Sequence, residues 1–408
     1  MERLALSFAV AVGLSLGCGS QVAEPVQPEM PVTEEPVATA PAPEAGKQIV
    51  IGERKSLQSA VLGEERGYLV SLPDGYDAGT TYPVIYLLDG DGHFHHVTGL
   101  VSFLSAQNRM PAPIIVGISN TDRTRDMTPT NEARLPTSGG GDRFLEFIEK
   151  ELIPAIERDY KTSAYRILIG HSFGGLITVH AMASRPGLFN AHIAASPSLQ
   201  WDGQLMAKNI APQLNAGSIK DGFLYYSLGT EGKEITEGNQ SFAKLLETSA
   251  PKTLRWKFDH MELEDHGSVV HRTVYLGLEM LYDQFAYPRG IETVEQLMAH
   301  AAKVRDLYRL DGNPPEGLIN VLGYRQLQAG PNKLAAALTF FELNVKLYPD
   351  SANVHDSLGE ALESGGRLKE ALASYERAVA NSKPGETFHE VFIKNRDRVA
   401  AELKKPIK

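Results

Sequence analysis

The sequence predicts an α/β domain followed by an all-α repeat domain, and three observations carry that reading. The first is Gly170-His171-Ser172-Phe173-Gly174-Gly175, set between a strand-like apolar run over residues 165–169 and a helix-like run over 176–183. Strand, G-x-S-x-G and helix in that order make a sharp turn with the serine hydroxyl exposed, and the glycines let the two backbones approach without a Cβ clash. The second is a pair of later strand-like runs that end in polar loops bearing acidic residues and a histidine. The third is self-similarity in the last hundred residues, where Leu334, Ala337 and Phe341 recur as Leu368, Ala371 and Tyr375, each 34 residues later.

The N-terminus carries Arg3, an apolar run over residues 4–16, then Gly17-Cys18-Gly19-Ser20. A short apolar segment ending in small residues predicts a secretory signal over residues 1–18, too short for a transmembrane span. Its end is similar to a bacterial lipobox, with Ser15 where leucine is usual. Cleavage there would leave Cys18 to carry a lipid and place the protein in the cell envelope, facing the periplasm or the exterior. Release as a soluble secreted protein is the alternative. Residues 19–46 are rich in Pro, Glu, Val and Ala without apolar periodicity, which predicts an unfolded tether.

The α/β domain is expected over 47–290. An apolar run at 84–88 breaks at Asp89-Gly90-Asp91-Gly92, where a backbone N–H can turn inward, and Asp91 is the candidate. A second N–H belongs to Phe173, directly after the serine, and together the two would form an oxyanion hole. Past the strand at 114–118 lie Arg123 and Arg125, at the sheet end where α/β folds bind ligands. They are candidate clamps for an anionic substrate through bidentate bonds, or else ion-pair partners of Asp122 and Asp126.

Ser172 is a poor nucleophile at neutral pH and needs a base. The order Ser, acid, His is met downstream. A strand at 223–228 runs into Gly229-Thr230-Glu231-Gly232-Lys233-Glu234, and a strand at 254–258 is followed by a turn-rich stretch ending in Asp265-His266-Gly267-Ser268. His266 is the candidate base, since His260 closes the strand and His271 opens a helix. Glu231, nearest the strand end, is the candidate acid, with Glu234 as the alternative. His93, His95 and His96 invite a metal reading, but no companion carboxylate–histidine pattern completes a zinc set. No metal or cofactor is expected.

With 408 residues and 42% hydrophobic content, the chain is long enough for two or three domains. A formal charge of −10 argues against generic nucleic-acid binding, and a single cysteine excludes an internal disulfide framework. Residues 291–313 read as a helical linker with a helix over 292–309. From 314 to 408 the 34-residue period is similar to two tetratricopeptide repeats plus a final helix over 386–403, with Pro349 and Pro384 ending the second helix of each unit. The expected roles are a stabilising appendage, a dimer surface or a groove for a protein partner.

Taken in order, the stretch at 67–76, Tyr82-Pro83 through Gly90, residues 120–126, the serine turn, Ser196-Pro197-Ser198-Leu199 and Glu264-Asp265-His266-Gly267-Ser268 resemble the putative esterase family. That family includes enterochelin-type siderophore esterases, feruloyl esterases and, more distantly, mycolyltransferases. The resemblance implies an α/β-hydrolase fold, Ser172 as nucleophile, His266 as base, and oxyanion donors at Asp91 and Phe173. Many members carry two tryptophans after the Ser-Pro-Ser-Leu stretch, whereas this chain has Gln200-Trp201, so Trp201 is a candidate pocket-wall residue. The expected function is serine carboxylic-ester hydrolysis through an acyl-enzyme, on siderophore or aromatic-acyl esters. The alternatives are acyl transfer of the mycolyltransferase type, or a surface-tethered interaction module with a vestigial hydrolase.

Overall fold

In the computed structural model the described residues are 48–215, 219 and 222–405. The signal expected over 1–18 with Cys18, and the tether expected up to residue 46, lie outside them. Eight strands form one sheet: β1 (Glu53–Ser59), β2 (Glu64–Ser71), β3 (Tyr82–Leu87), β4 (Ile114–Ile118), β5 (Thr162–His171), β6 (Ala191–Ala195), β7 (Phe223–Thr230) and β8 (Arg255–Asp265). The spatial order is β1-β2-β4-β3-β5-β6-β7-β8. β1 and β2 run antiparallel to their neighbours, and every pair from β4 to β8 is parallel.

Parallel strands joined by crossover helices are covered on both faces, so their sequences are apolar throughout rather than alternating. The two faces still separate by parity. Ile85, Leu87, Ile167, Ile169, Ile193 and Tyr225 point into one core, while Val84, Tyr86, Leu168, Ala194, Leu224 and Tyr226 point into the other. The first core is closed by α1 (Gly90–Ala106) and α8 (Val269–Leu281). Over the opposite face lie α2 (Arg123–Asp126), α3 (Gly141–Phe147), α4 (Ile153–Asp159), α5 (Phe173–Ser184), α6 (Trp201–Asn215) and α7 (Lys233–Ser249).

β8 differs from the sequence expectation. It continues through the stretch read as turn-rich and ends only at Asp265, so that His260 lies inside it. As an edge strand it has neighbours on one side only, and its residues, of which only Met261 is buried, need no apolar run to remain in the sheet.

The C-terminal helices are α9 (Val294–Tyr308), α10 (Glu316–Gln328), α11 (Leu334–Leu347), α12 (Ala352–Ser364), α13 (Leu368–Ala380) and α14 (His389–Glu402). Their period reflects small-against-large packing: a Cβ at Gly323 would lie 2.8 Å from the Phe341 ring, and one at Gly359 would lie 2.7 Å from the Tyr375 ring. α9 does more than link. A capping box of Thr293 and Gln296 starts it. Leu297 then packs with Ile319, Leu322 and Phe340 of the next helices, while Val304 and Tyr308 enter the sheet core beside Tyr165 and Tyr282.

Candidate active site

β5 delivers the chain to Ser172 at φ 59°, ψ −114°, a conformation that L-residues rarely adopt and that costs on the order of 1–3 kcal/mol. Three backbone bonds hold it there. The Ser172 N–H donates to the Ala195 carbonyl (3.0 Å), and the Ser172 carbonyl accepts from the N–H groups of Leu176 (2.9 Å) and Ser198 (3.1 Å). At Gly170 a Cβ would collide with the Gly174 carbonyl, so the strand and helix can close this tightly only with glycine.

His266 lies in the short loop between β8 and α8. Asp265 shapes that loop, its Oδ1 accepting from the N–H groups of Gly267 (2.9 Å) and Ser268 (2.7 Å). These bonds hold the Asp265 carboxyl below its ordinary pKa. His266 Nδ1 lies 2.7 Å from Glu231 Oε1. Because a carboxylate only accepts, Nδ1 is the donor in this contact, which in the neutral imidazole puts the lone pair on Nε2. Glu231 is 5% exposed, and His266, at 40%, remains open to solvent. Glu234, the other carboxylate considered, is exposed on the first turn of α7 and has no bond to His266.

The two residues named from sequence as oxyanion donors lie at helix N-termini. Asp91 is the second residue of α1 and Phe173 the first of α5, positions whose N–H has no intrahelical acceptor. The Asp91 carboxylate itself pairs with Arg54 (2.9 Å). Asp89, which precedes α1, is left-handed at φ 53°, ψ 42°. Burial would raise its pKa, but bonds from Arg123 and Asn120, with the Arg123 charge, outweigh that and hold it low.

The two arginines, candidates for anion clamps or for ion-pair partners, both make ion pairs within the fold. Arg123 donates from Nε (2.6 Å) and Nη2 (2.9 Å) to the Asp89 carboxylate and from Nη2 to the His171 carbonyl (3.0 Å). Arg125 binds both oxygens of Glu64 and, through Nε, Asp126 (2.7 Å). Glu64 is thereby held down to about 2, the bond from Arg125 being the largest cause. Asp126 is thus a partner of Arg125 as anticipated, whereas Asp122 caps α2 through the Arg125 N–H (2.9 Å) and Arg123 turns to Asp89 instead. Trp201 is buried, donates from Nε1 to Thr130 Oγ1 (3.0 Å) and meets the Phe173 ring edge-on at 5.3 Å.

Sequence reasoning passed over His171, although it occupies the variable position of the G-x-S-x-G turn. Its Nε2 lies 2.7 Å from the His266 carbonyl, and the two rings are 4.7 Å apart. Further out, His93 Nδ1 lies 3.1 Å from His96 Nε2, and His96 Nδ1 lies 3.1 Å from His271 Nδ1. Burial pushes His171 and His96 down to about 4 and also lowers His93. Among the described residues no group of three or more His, Cys, Asp or Glu side chains is arranged to hold a metal ion.

The sheet order and the strained strand-to-helix serine define an α/β-hydrolase. More particularly, the model of the family described as "Putative esterase" matches residues 59–270, just over half of the chain, and the chain belongs to that family. It is 35% identical over 171 residues to the ferri-bacillibactin esterase BesA of Bacillus subtilis (strain 168), a match covering 36% of this chain and 58% of that protein. The match therefore spans less than two thirds of that relative's length. A crystal structure of an IroE-like serine hydrolase from Shewanella oneidensis superposes with a TM-score of 0.64 at 31% identity, covering 72% of this chain and 98% of that one. An uncharacterised protein from Capnocytophaga ochracea DSM 7271 shares the fold at 18% identity with a TM-score of 0.65. That superposition covers 86% of this chain and 99% of the other.

Proposed function

We propose that the protein is a serine carboxylic-ester hydrolase in which Ser172, His266 and Glu231 act as nucleophile, base and orienting acid. The observation that carries this reading is the 2.7 Å contact between His266 Nδ1 and the buried Glu231 carboxylate, in the loop that His171 ties to the serine turn. That contact leaves His266 Nε2 free to take the Ser172 proton as Oγ attacks the ester carbonyl. The N–H groups of Asp91 and Phe173 stabilise the oxyanion of the tetrahedral intermediate. The imidazolium, stabilised by Glu231, gives its proton to the departing alcohol and leaves an acyl-enzyme. Water then attacks with the same base and acid, releasing the carboxylic acid and free Ser172. A fluorophosphonate probe tests the assignment: it should label the wild type and not Ser172→Ala, and equal labelling of both would refute it.

The substrate class we propose is an ester of a siderophore or of an aromatic acid. The name of the Bacillus relative supports the siderophore ester. Incubation with a catecholate trilactone and with hydroxycinnamate esters, followed by mass analysis of the products, tests it. Turnover of short aliphatic esters alone would exclude it. We further propose that Cys18 carries a lipid that holds the enzyme at the bacterial envelope. Partition of the wild type into detergent, and of Cys18→Ser into the aqueous phase, is the expected result.

A further inference from the structure

We infer that His171 is a positioning residue for His266, coupling the serine turn to the base loop. This inference rests on the proposed role of His266 and adds a residue that acts on it without touching the substrate. His171 ends β5 and is bonded covalently to Ser172, so its side chain is anchored at the strained turn. Its own carbonyl is fixed by Arg123 (3.0 Å). From that anchor its Nε2–H donates to the His266 carbonyl (2.7 Å), across 95 residues of sequence. The ring also lies against the His266 ring, with centroids 4.7 Å apart and planes inclined at 48°.

These two contacts constrain different degrees of freedom. The hydrogen bond fixes the backbone of the loop that carries the base, and the ring contact limits rotation of the imidazole about its side-chain torsions. Glu231 fixes the far nitrogen. Beyond the Glu231 contact and His171, residues 266–268 are held by bonds among Glu264, Asp265 and Ser268, at the end of β8 and in the loop itself, and nothing in those bonds refers the loop to Ser172. His171 supplies that reference. The donor role requires a proton on Nε2, which neutral imidazole provides without introducing a second positive charge beside His266.

Two variants separate the contacts. His171→Gln keeps an N–H donor near the position of Nε2 and loses the ring, while His171→Phe keeps the ring and loses the donor. A displacement of about 1 Å at a reacting group costs on the order of 10²-fold in rate. His171→Phe should therefore lower kcat on a p-nitrophenyl ester by roughly 10- to 100-fold with KM little changed. His171→Gln should recover most of that loss. The rate of Ser172 labelling by the fluorophosphonate should fall in parallel with kcat. Wild-type kcat in a folded His171→Phe protein would overturn the inference, as would equal losses in kcat and 1/KM, or a Gln variant no better than Phe. Thermal melts of each variant establish folding, and if Phe does not fold the Gln variant compared with His171→Ala decides the question. Failure of the wild type to label would instead overturn the nucleophile assignment, so the two failures are distinguishable.

Discussion

Arg123 grips both carboxylate oxygens of Asp89 and, with the same guanidinium, binds the carbonyl of His171. It therefore joins the loop before α1 to the residue before Ser172, the two places from which the oxyanion N–H groups are proposed to come. The left-handed backbone at Asp89 is held by this clamp, since Asp89 makes no side-chain cap to α1.

Arg123→Ala should then impair neutral and anionic esters alike, because the charge is already matched within the protein. Losing a charged, bidentate pair should cost about 1.5–3 kcal/mol of stability, read as a shift in urea midpoint at constant m-value. Arg123→Lys should not restore it, since a point charge cannot make the fork. A selective loss with anionic esters would show that the arginine reaches substrate.

Glu231→Gln should lower kcat by on the order of 10³- to 10⁴-fold with the fold intact, because an amide leaves His266 without a stable Nδ1–H tautomer. Glu234→Gln, altering an exposed carboxylate with no bond to the base, should leave kcat unchanged. Single-turnover kinetics on the two variants checks both. Substantial activity in Glu231→Gln would remove it from the mechanism.

Much of this site was legible in the sequence because its parts sit at predictable ends of elements. Ser172 is marked by glycines whose need is local, and Glu231 and His266 follow strands whose composition is visible. What escaped is contact between distant segments. Nothing in the local sequence distinguishes an arginine aimed at substrate from one that finds Asp89 34 residues earlier. His171 acts on a backbone carbonyl, a partner that every residue offers and that no motif records. The true length of β8 was hidden because an edge strand needs no apolar pattern.

Stability should fall on acidification in two windows. Burial depresses His96, His171 and His192 to about 4, so below pH 6.5 the unfolded chain binds protons that the folded one resists. Their contribution is fully present above pH 6.5 and is lost as pH falls to about 4. The depressed Glu64 carboxyl adds a second loss, from its ordinary 4.5 down to about 2. Urea midpoints at pH 7.5, 6, 5 and 4 should therefore decline steadily, and a flat profile between 6.5 and 4 would contradict the burial of these histidines.

Asp126→Asn should be more damaging than any surface carboxylate change. Arg66 and Asp126 are 1% and 2% exposed and 2.6 Å apart, beneath the rings of Phe144 and Phe147. Removing one charge leaves the other buried with weaker compensation, a loss of about 3–5 kcal/mol. Denaturant unfolding compared with Asp159→Asn at the exposed Arg158 pair provides the contrast.

The helices beyond residue 290 should prove necessary to the α/β domain. Tyr308 of α9 lies 4.8 Å from the Tyr282 ring and 5.8 Å from Tyr165, and its hydroxyl donates to the Leu281 carbonyl (3.0 Å) at the end of α8. α8 begins just after His266, so this contact buttresses the helix that follows the base loop. Tyr308→Ala empties a buried aromatic site and should cost about 3–5 kcal/mol. A chain ending at residue 290 should lose the same support together with Val304, exposing Tyr165 and Tyr282. The expected outcome is a truncated protein that melts well below the full chain and binds a hydrophobic dye before unfolding. A truncation as stable as the full chain would make the helical region independent of the hydrolase.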